Sequence, residues 1–128
     1  MIITAFYAGL LALVFLVLSL RVVRFRRRGI SLGDGGSPQM LRVMRGHANF
    51  AEYVPFILVL MLVLELGHTS IYILHALGIT LLIARLLHGY ALSFTQKFFL
   101  GRFLGAALTF GVLLVAGLLC VWQGVRSW

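Results

Sequence analysis

The chain has 128 residues, of which 62% are hydrophobic and 11% are charged, whereas roughly 25% of residues are charged in an ordinary soluble domain. A water-soluble protein of this length could not bury so much apolar surface, so the composition predicts an integral membrane protein. The net charge of +8 does not indicate nucleic-acid binding, because the basic residues cluster at or near predicted helix ends. That placement favours anionic lipid headgroups or an anionic ligand as partners.

The first predicted helix covers residues 2–25. Its stretch Ile2–Leu20 contains no charged side chain and would span roughly 28 Å, which is about one hydrocarbon thickness. The basic cluster RVVRFRRR follows this stretch, whereas a cleaved signal peptide carries its basic residues in front. We therefore interpret the segment as a retained membrane helix whose C-terminal end faces the cytoplasm.

Three further helices are predicted, over residues 38–66, 70–94 and 99–125. The segment GISLGDGGSP before the second helix is rich in Gly and Pro and indicates a loop. Ser37 is the candidate N-cap of that helix, and Pro38 suits its first turn. The segment GHTS indicates a tight turn in which Thr69 or Ser70 caps the third helix.

The predicted connections differ in charge. The first and third loops, together with the helix ends that flank them, hold nearly all the Arg and Lys residues, and the GHTS turn holds none. The positive-inside rule therefore predicts that both basic loops are cytoplasmic and that both termini lie outside. Because no soluble domain or internal repeat is visible, residues 1–128 are expected to form a single all-α domain, a membrane four-helix bundle.

A stripe of polar side chains is predicted at the start of the second helix. Four residues at helical spacing share one side of it: Arg42, Arg45, Asn49 and Glu52. Glu52 lies roughly 15 Å along the axis from Arg42. A short carboxylate at that depth cannot reach water by snorkelling, so we expect it to have a partner inside the bundle.

The third helix offers that partner. Arg85 and His88 are three residues apart near its end, so they share a face. The second helix enters the membrane on the side where the third leaves it, and the two polar sets are therefore expected at similar depth. Three further basic residues border the same level: Arg24, Lys97 and Arg102.

Two interpretations of this polar level remain open. In the first, Glu52 and Arg85 form a buried ion pair that holds the helices together, and the other basic residues are interfacial anchors. In the second, the level binds an anionic ligand. Four arginines outnumber the single intramembrane carboxylate and favour this second interpretation: Arg42, Arg45, Arg85 and Arg102.

The remaining polar residues carry little functional signal. His68 lies in the predicted turn, Glu65 lies near the outer interface, and His75 is interpreted as a packed or interfacial histidine. Cys120 lies in an apolar run and is interpreted as a small core or lipid-facing residue. No His and carboxylate cluster has metal-ligand spacing, and neither a phosphate-binding glycine loop nor a Ser-His-Asp set is visible.

The segment RVMRGHANFAEYVP resembles the signature of the MAPEG family, the membrane-associated proteins in eicosanoid and glutathione metabolism. The matching residues are Arg45, Asn49, Glu52, Tyr53 and Pro55. This family includes leukotriene C4 synthase and the microsomal glutathione transferases. The resemblance extends over nearly the whole chain, including RLLHGY on the third helix, and the brief loops are similar to those of bacterial members.

The resemblance implies a homotrimer of four-helix bundles that binds glutathione between subunits, in the cytoplasm-facing half. Arg102 lies close to the place of the arginine that activates the thiol, with Lys97 as the alternative. The predicted ligand-binding residues are Arg24, Arg45, Asn49, Glu52, Tyr53, Arg85 and His88. The implied function is that of an inner-membrane glutathione transferase or peroxidase acting on an apolar electrophile or hydroperoxide.

One departure from the family pattern concerns a tyrosine. Several members carry it one turn beyond the position of His88, where this chain has Leu92, and the nearest tyrosine here is Tyr90 on another face.

Because the family also includes proteins that present lipid without catalysis, a membrane lipid- or ligand-binding protein remains the alternative. A third hypothesis, ion transport, would need a polar path through the outer half, where only His68, His75 and Glu65 are available.

Overall fold

The computed structural model describes residues 2–128 and contains the four predicted helices. These are α1 (Ile3–Arg26), α2 (Pro38–Leu66), α3 (Ile71–Ser93) and α4 (Phe99–Arg126). Each helix end lies within one residue of its predicted position. All four helices are long and apolar enough to cross a membrane, so the fold is a membrane four-helix bundle, as predicted.

Side-chain capping differs between the starts of α2 and α3. Ser37 accepts a hydrogen bond from the Met40 backbone N–H at 3.2 Å, and Pro38 occupies the first turn of α2. Ser70 precedes α3, but its side chain makes no capping hydrogen bond, and the Thr69 hydroxyl donates to the Gln123 side chain at 3.3 Å. Ser70 therefore occupies the predicted N-cap position of α3, but its side chain does not supply the cap.

The helices pack with α2 and α3 at the centre of the bundle. Each of these two contacts all the other helices, whereas α1 and α4 lie on opposite sides and, within residues 2–128, do not contact each other. We call the end that holds the first and third loops the basic end, and the end that holds the α2–α3 turn the turn end. The inward sides of α2 and α3 therefore lie between neighbouring helices, and Asn49 of α2 and Arg85 of α3 meet there.

Apolar side chains form both the core and the outer surface. Leu11, Ile57 and Leu81 are buried between the helices, while side chains such as Leu114 and Leu13 are exposed on the outside of the bundle. A helix that is apolar on its outward side as well as its inward side is typical of a membrane span. The outer surface thus suits contact with lipid.

The turn end contains a small polar cluster that joins α1 to α2 and α3. The Glu65 carboxylate accepts hydrogen bonds from the backbone N–H groups of Ile3 at 2.5 Å and Thr4 at 2.8 Å. Tyr7 places its hydroxyl 2.8 Å from Nδ1 of His75. Glu65 therefore caps the start of α1, a role that its predicted place near the interface did not reveal.

Candidate functional site

Arg85 is the centre of a polar network inside the half of the bundle next to the basic end, which we call the basic half. Its side chain is fully buried, and its Nη1 donates to Asn49 Oδ1 of α2 at 2.9 Å and to Thr109 Oγ1 of α4 at 3.4 Å. Its guanidinium carbon lies 5.4 Å from the ring centroid of Phe50. The network thus joins three helices around one cation.

His88 is buried beside Arg85, with its Nδ1 at 3.4 Å from Nη2 of that arginine. The close approach of α4 depends on Gly105. A Cβ at that position would lie 2.6 Å from the His88 Cβ and 2.7 Å from the Ala84 carbonyl oxygen. The absence of a side chain at Gly105 therefore lets α4 cover the buried network.

The Glu52 carboxylate does not reach this network. It lies 3.5 Å from the Arg45 guanidinium, two turns earlier on α2, and the two side chains are 50% and 53% exposed. The predicted partner for Glu52 on α3 is therefore wrong. Asn49, one turn before Glu52, takes the inward direction and contacts Arg85, so the carboxylate remains on the surface of α2.

Arg42 was counted in the predicted surplus of positive charge, but its donors are used inside the fold. It donates to the carbonyl oxygens of Ala91 at 3.0 Å and Thr95 at 2.5 Å, and Arg21 donates to the Ser93 carbonyl oxygen at 2.6 Å. Cations at the C-terminal end of a helix satisfy its free carbonyls and oppose its dipole. The two arginines therefore cap α3.

The other predicted site residues lie around the network. Arg24, Lys97 and Arg102 are exposed at the basic end, and Tyr53 is half-buried, with its ring edge-on to Phe110 at a centroid distance of 5.4 Å. The structure thus brings Asn49, Arg85 and His88 together. Arg45 and Glu52 form a separate pair on the adjoining surface of α2.

Two polar residues of this region were not among the predicted site residues. Thr109 is the one hydroxyl residue in the stretch 103–125, and this isolation in an apolar helix was a usable signal. His47 lies 3.2 Å from the Ser19 hydroxyl and stacks on Phe15 at 4.7 Å. No sequence signal connects it to α1, because that contact depends on how the two helices are rotated.

The arrangement combines a buried cation with a half-exposed ion pair on a membrane-spanning helix. It offers N–H donors and one carboxylate at the surface, a set that can recognise a molecule carrying both negative and positive groups. Within residues 2–128, no group of three or more His, Cys, Asp or Glu side chains could hold a metal ion.

The sequence model of the MAPEG family matches residues 4–122. The chain belongs to the MAPEG family. It is similar to the inner membrane protein YecN of Escherichia coli strain K12 and of Escherichia coli O6:H1, with 36% identity over 121 residues in each case. The aligned region covers 94% of this chain and 91% of each relative. No solved structure matches. This MAPEG protein is accordingly a multi-pass membrane protein.

Proposed function

We propose that this MAPEG protein is a membrane glutathione transferase or peroxidase. It would activate the glutathione thiol for attack on an apolar electrophile or hydroperoxide that arrives from the bilayer. One observation carries the proposal: the Arg45–Glu52 ion pair is half-exposed on α2, next to the Asn49 side chain of the buried network. All three residues belong to the family signature.

The depth of the Arg45–Glu52 pair in the membrane supports the proposal that a ligand or a second subunit covers it. Glu52 precedes the last residue of α2, Leu66, by fourteen positions, or about 21 Å along the helix axis. A hydrocarbon layer of about 30 Å measured from the turn end would include that position. Charged groups exposed to hydrocarbon are costly and mark functional sites. A homotrimer with glutathione between subunits would remove this cost.

The chemical groups of glutathione match the site. Its two carboxylates suit the arginines, here Arg45 and the exposed Arg24, and its ammonium suits Glu52. A free thiol of this type has a pKa of about 8.5, so little thiolate exists at neutral pH. A nearby cation lowers such a pKa, and Arg102 or Lys97, both exposed at the basic end, would supply it. The bacterial inner membrane, named for the relatives, is the proposed location.

Binding of glutathione to the purified protein tests this proposal. Arg45→Ala and Glu52→Ala should each raise the dissociation constant roughly 10- to 150-fold, because a charged hydrogen-bond partner contributes about 1.5–3 kcal/mol. Arg126→Ala, at the turn end, is the matched control and should bind as the wild type does. Unchanged affinity in the two site variants, with the oligomeric state preserved, would exclude this site.

A non-catalytic ligand-binding protein is the second candidate, favoured by the buried Leu92 where several members carry tyrosine. Ultraviolet absorbance of bound thiolate, titrated against pH, separates the two. In an enzyme, Arg102→Leu should raise the pKa of the bound thiol, at about 1.4 kcal/mol per unit, and lower turnover while affinity changes only a few fold. If the effect follows Lys97→Leu, the activating residue is Lys97. A wild-type protein that binds glutathione without thiolate or conjugation is a binder.

A further inference from the structure

Arg85 is a buried cation with no anionic partner among residues 2–128, where the one salt bridge joins Arg45 to Glu52. A charge inside a membrane bundle is costly unless polar groups surround it. The polar groups that contact its guanidinium are the side chains of Asn49, His88 and Thr109.

The guanidinium group fixes the polarity of its neighbours, because it has five N–H donors and no acceptor. Asn49 must therefore turn its Oδ1 toward Arg85, as observed at 2.9 Å. Its Nδ2, which carries two N–H donors, then points away from the cation. The carboxamide of Asn49 cannot rotate by half a turn without placing N–H against N–H.

The same rule determines the protonation of His88. Its Nδ1 lies 3.4 Å from Arg85 Nη2 and faces only N–H donors there, so a neutral ring that accepts from Arg85 would carry its proton on Nε2. Thr109 donates its hydroxyl to the Gly105 carbonyl oxygen at 2.7 Å and is left with lone pairs for Arg85. All three neighbours accept toward the cation.

We propose that Arg85 is a positioning residue that makes Asn49 and His88 hydrogen-bond donors on the sides that face away from it. Asn49 is half-buried and lies between Arg45 and Glu52 along α2, so its amide donors adjoin the proposed ligand surface. Arg85 is fully buried and acts on the ligand through Asn49. The inference rests on the proposed function.

This polarity restricts which group of the ligand lies at Asn49. An amide donor binds a carboxylate, a carbonyl or a thiolate and repels an ammonium. The ammonium group of glutathione is therefore assigned to Glu52 and an acceptor group to Asn49. An aspartate at position 49 would neutralise Arg85, but it would present an acceptor on both sides. The asparagine thus keeps a donor toward the ligand and leaves the cation without an anion.

The variant Asn49→Asp separates this role from a structural one. A carboxylate beside Arg85 supplies the missing counter-ion, so the thermal midpoint should be equal to or higher than that of the wild type. The affinity for glutathione should nevertheless fall roughly 10- to 150-fold, because a donor is replaced by a charged acceptor. Asn49→Ala removes the donor without adding an acceptor, and its loss of affinity should be smaller.

Arg85 itself is tested by a conservative pair of variants. Arg85→Lys keeps a cation that only donates, whereas Arg85→Gln introduces an amide that can also donate or accept in either orientation. Arg85→Lys should retain most of the glutathione affinity that Arg85→Gln loses. If both variants fail to fold, Asn49→Asp still tests the inference, because it keeps Arg85 in place.

The tautomer of His88 provides a measurement that needs no ligand. Nitrogen-15 NMR of the full-length protein, with the His88 signals assigned through His88→Gln, should show a neutral ring protonated on Nε2. A ring protonated on Nδ1 would overturn the inference. Wild-type affinity in Asn49→Asp would overturn it as well, while leaving the proposed function intact. If the wild type binds no glutathione but His88 is protonated on Nε2, the proposed ligand is wrong and the donor geometry stands.

Discussion

The turn end and the basic half of the bundle each contain a carboxylate of α2, but the two carboxylates have different kinds of partner. Glu65 accepts hydrogen bonds from the backbone N–H groups of Ile3 and Thr4. Glu52 pairs with the flexible side chain of Arg45, and both remain half-exposed. One carboxylate is thus held by backbone that cannot leave, and the other by a side chain that can exchange its partner.

This difference indicates which polar cluster is available to a ligand. The first N–H groups of α1 have no partner within the helix, and the positive end of the helix dipole lies there. The Glu65 carboxylate accepts hydrogen bonds from two of these N–H groups and places a negative charge beside the dipole. Within residues 2–128, no backbone group holds Glu52, and the neighbouring Arg85 network contains a cation without an anion. A charged residue in a membrane helix is therefore not by itself evidence of a ligand site. A backbone partner indicates a structural role, whereas a side-chain partner that can be exchanged leaves the charge available to a ligand.

The largest difference expected between the two ends concerns the side of the membrane from which a thiol reagent reaches each end. Cysteines introduced one at a time at Leu32, Gln96 and Ser70, in a Cys120→Ala background, are all at exposed positions. Those at Leu32 and Gln96 should react only when the cytoplasmic side is accessible, and the one at Ser70 only from outside, because basic loops stay inside. The reverse pattern would place the proposed site at the other face.

The two carboxylates should show opposite consequences when removed. Glu65→Ala leaves two N–H groups of α1 without an acceptor and should lower the free energy of unfolding by about 1.5–3 kcal/mol, with unchanged glutathione affinity. Glu52→Ala should weaken glutathione binding with little effect on stability, since exposed ion pairs contribute about 0–1 kcal/mol. Unfolding in detergent and calorimetric binding would measure both. If Glu65→Ala lost glutathione affinity while keeping the stability of the wild type, Glu65 and Glu52 would not differ in the way expected here.

The packing of α4 over the Arg85 network should be sensitive to a single methyl group. Gly105→Ala forces a Cβ against His88 and Ala84 and should lower stability by about 1–3 kcal/mol, the usual cost of overpacking. Gly117→Ala is the matched control on the same helix, because nothing lies within 4 Å of its Cβ position. There the gain in helix propensity should leave stability equal or slightly higher. Circular dichroism during heating compares the two, and equal midpoints would contradict the close packing.

The smallest expected difference concerns the helix caps at the two ends. Ser37→Ala removes the hydrogen bond to the Met40 N–H and should lower stability by about 0.5–2 kcal/mol. Ser70→Ala removes no capping hydrogen bond and should change the unfolding midpoint very little. A larger effect at Ser70 than at Ser37 would show that α3 depends on a cap that the structure does not contain.

The sequence by itself determined the number, the ends and the membrane character of the helices. These properties depend on local features, namely the length of the apolar stretches, the Gly-rich first loop and the Ser37–Pro38 cap. The spacing of Arg45, Asn49 and Glu52 also placed the family signature on one side of α2. Helical periodicity is a property of the backbone and requires no knowledge of neighbouring helices.

Only the tertiary structure decided which polar groups meet. Glu52 was expected to contact α3, yet Asn49, one turn away, contacts Arg85 instead. Arg42 was counted among the arginines that favoured an anionic ligand and proved to cap α3. Glu65 received a partner from α1 that lies more than sixty residues away. Because a small rotation of a helix about its axis exchanges one facing side chain for another, such partners depend on how the helices pack and cannot be read from spacing along one helix.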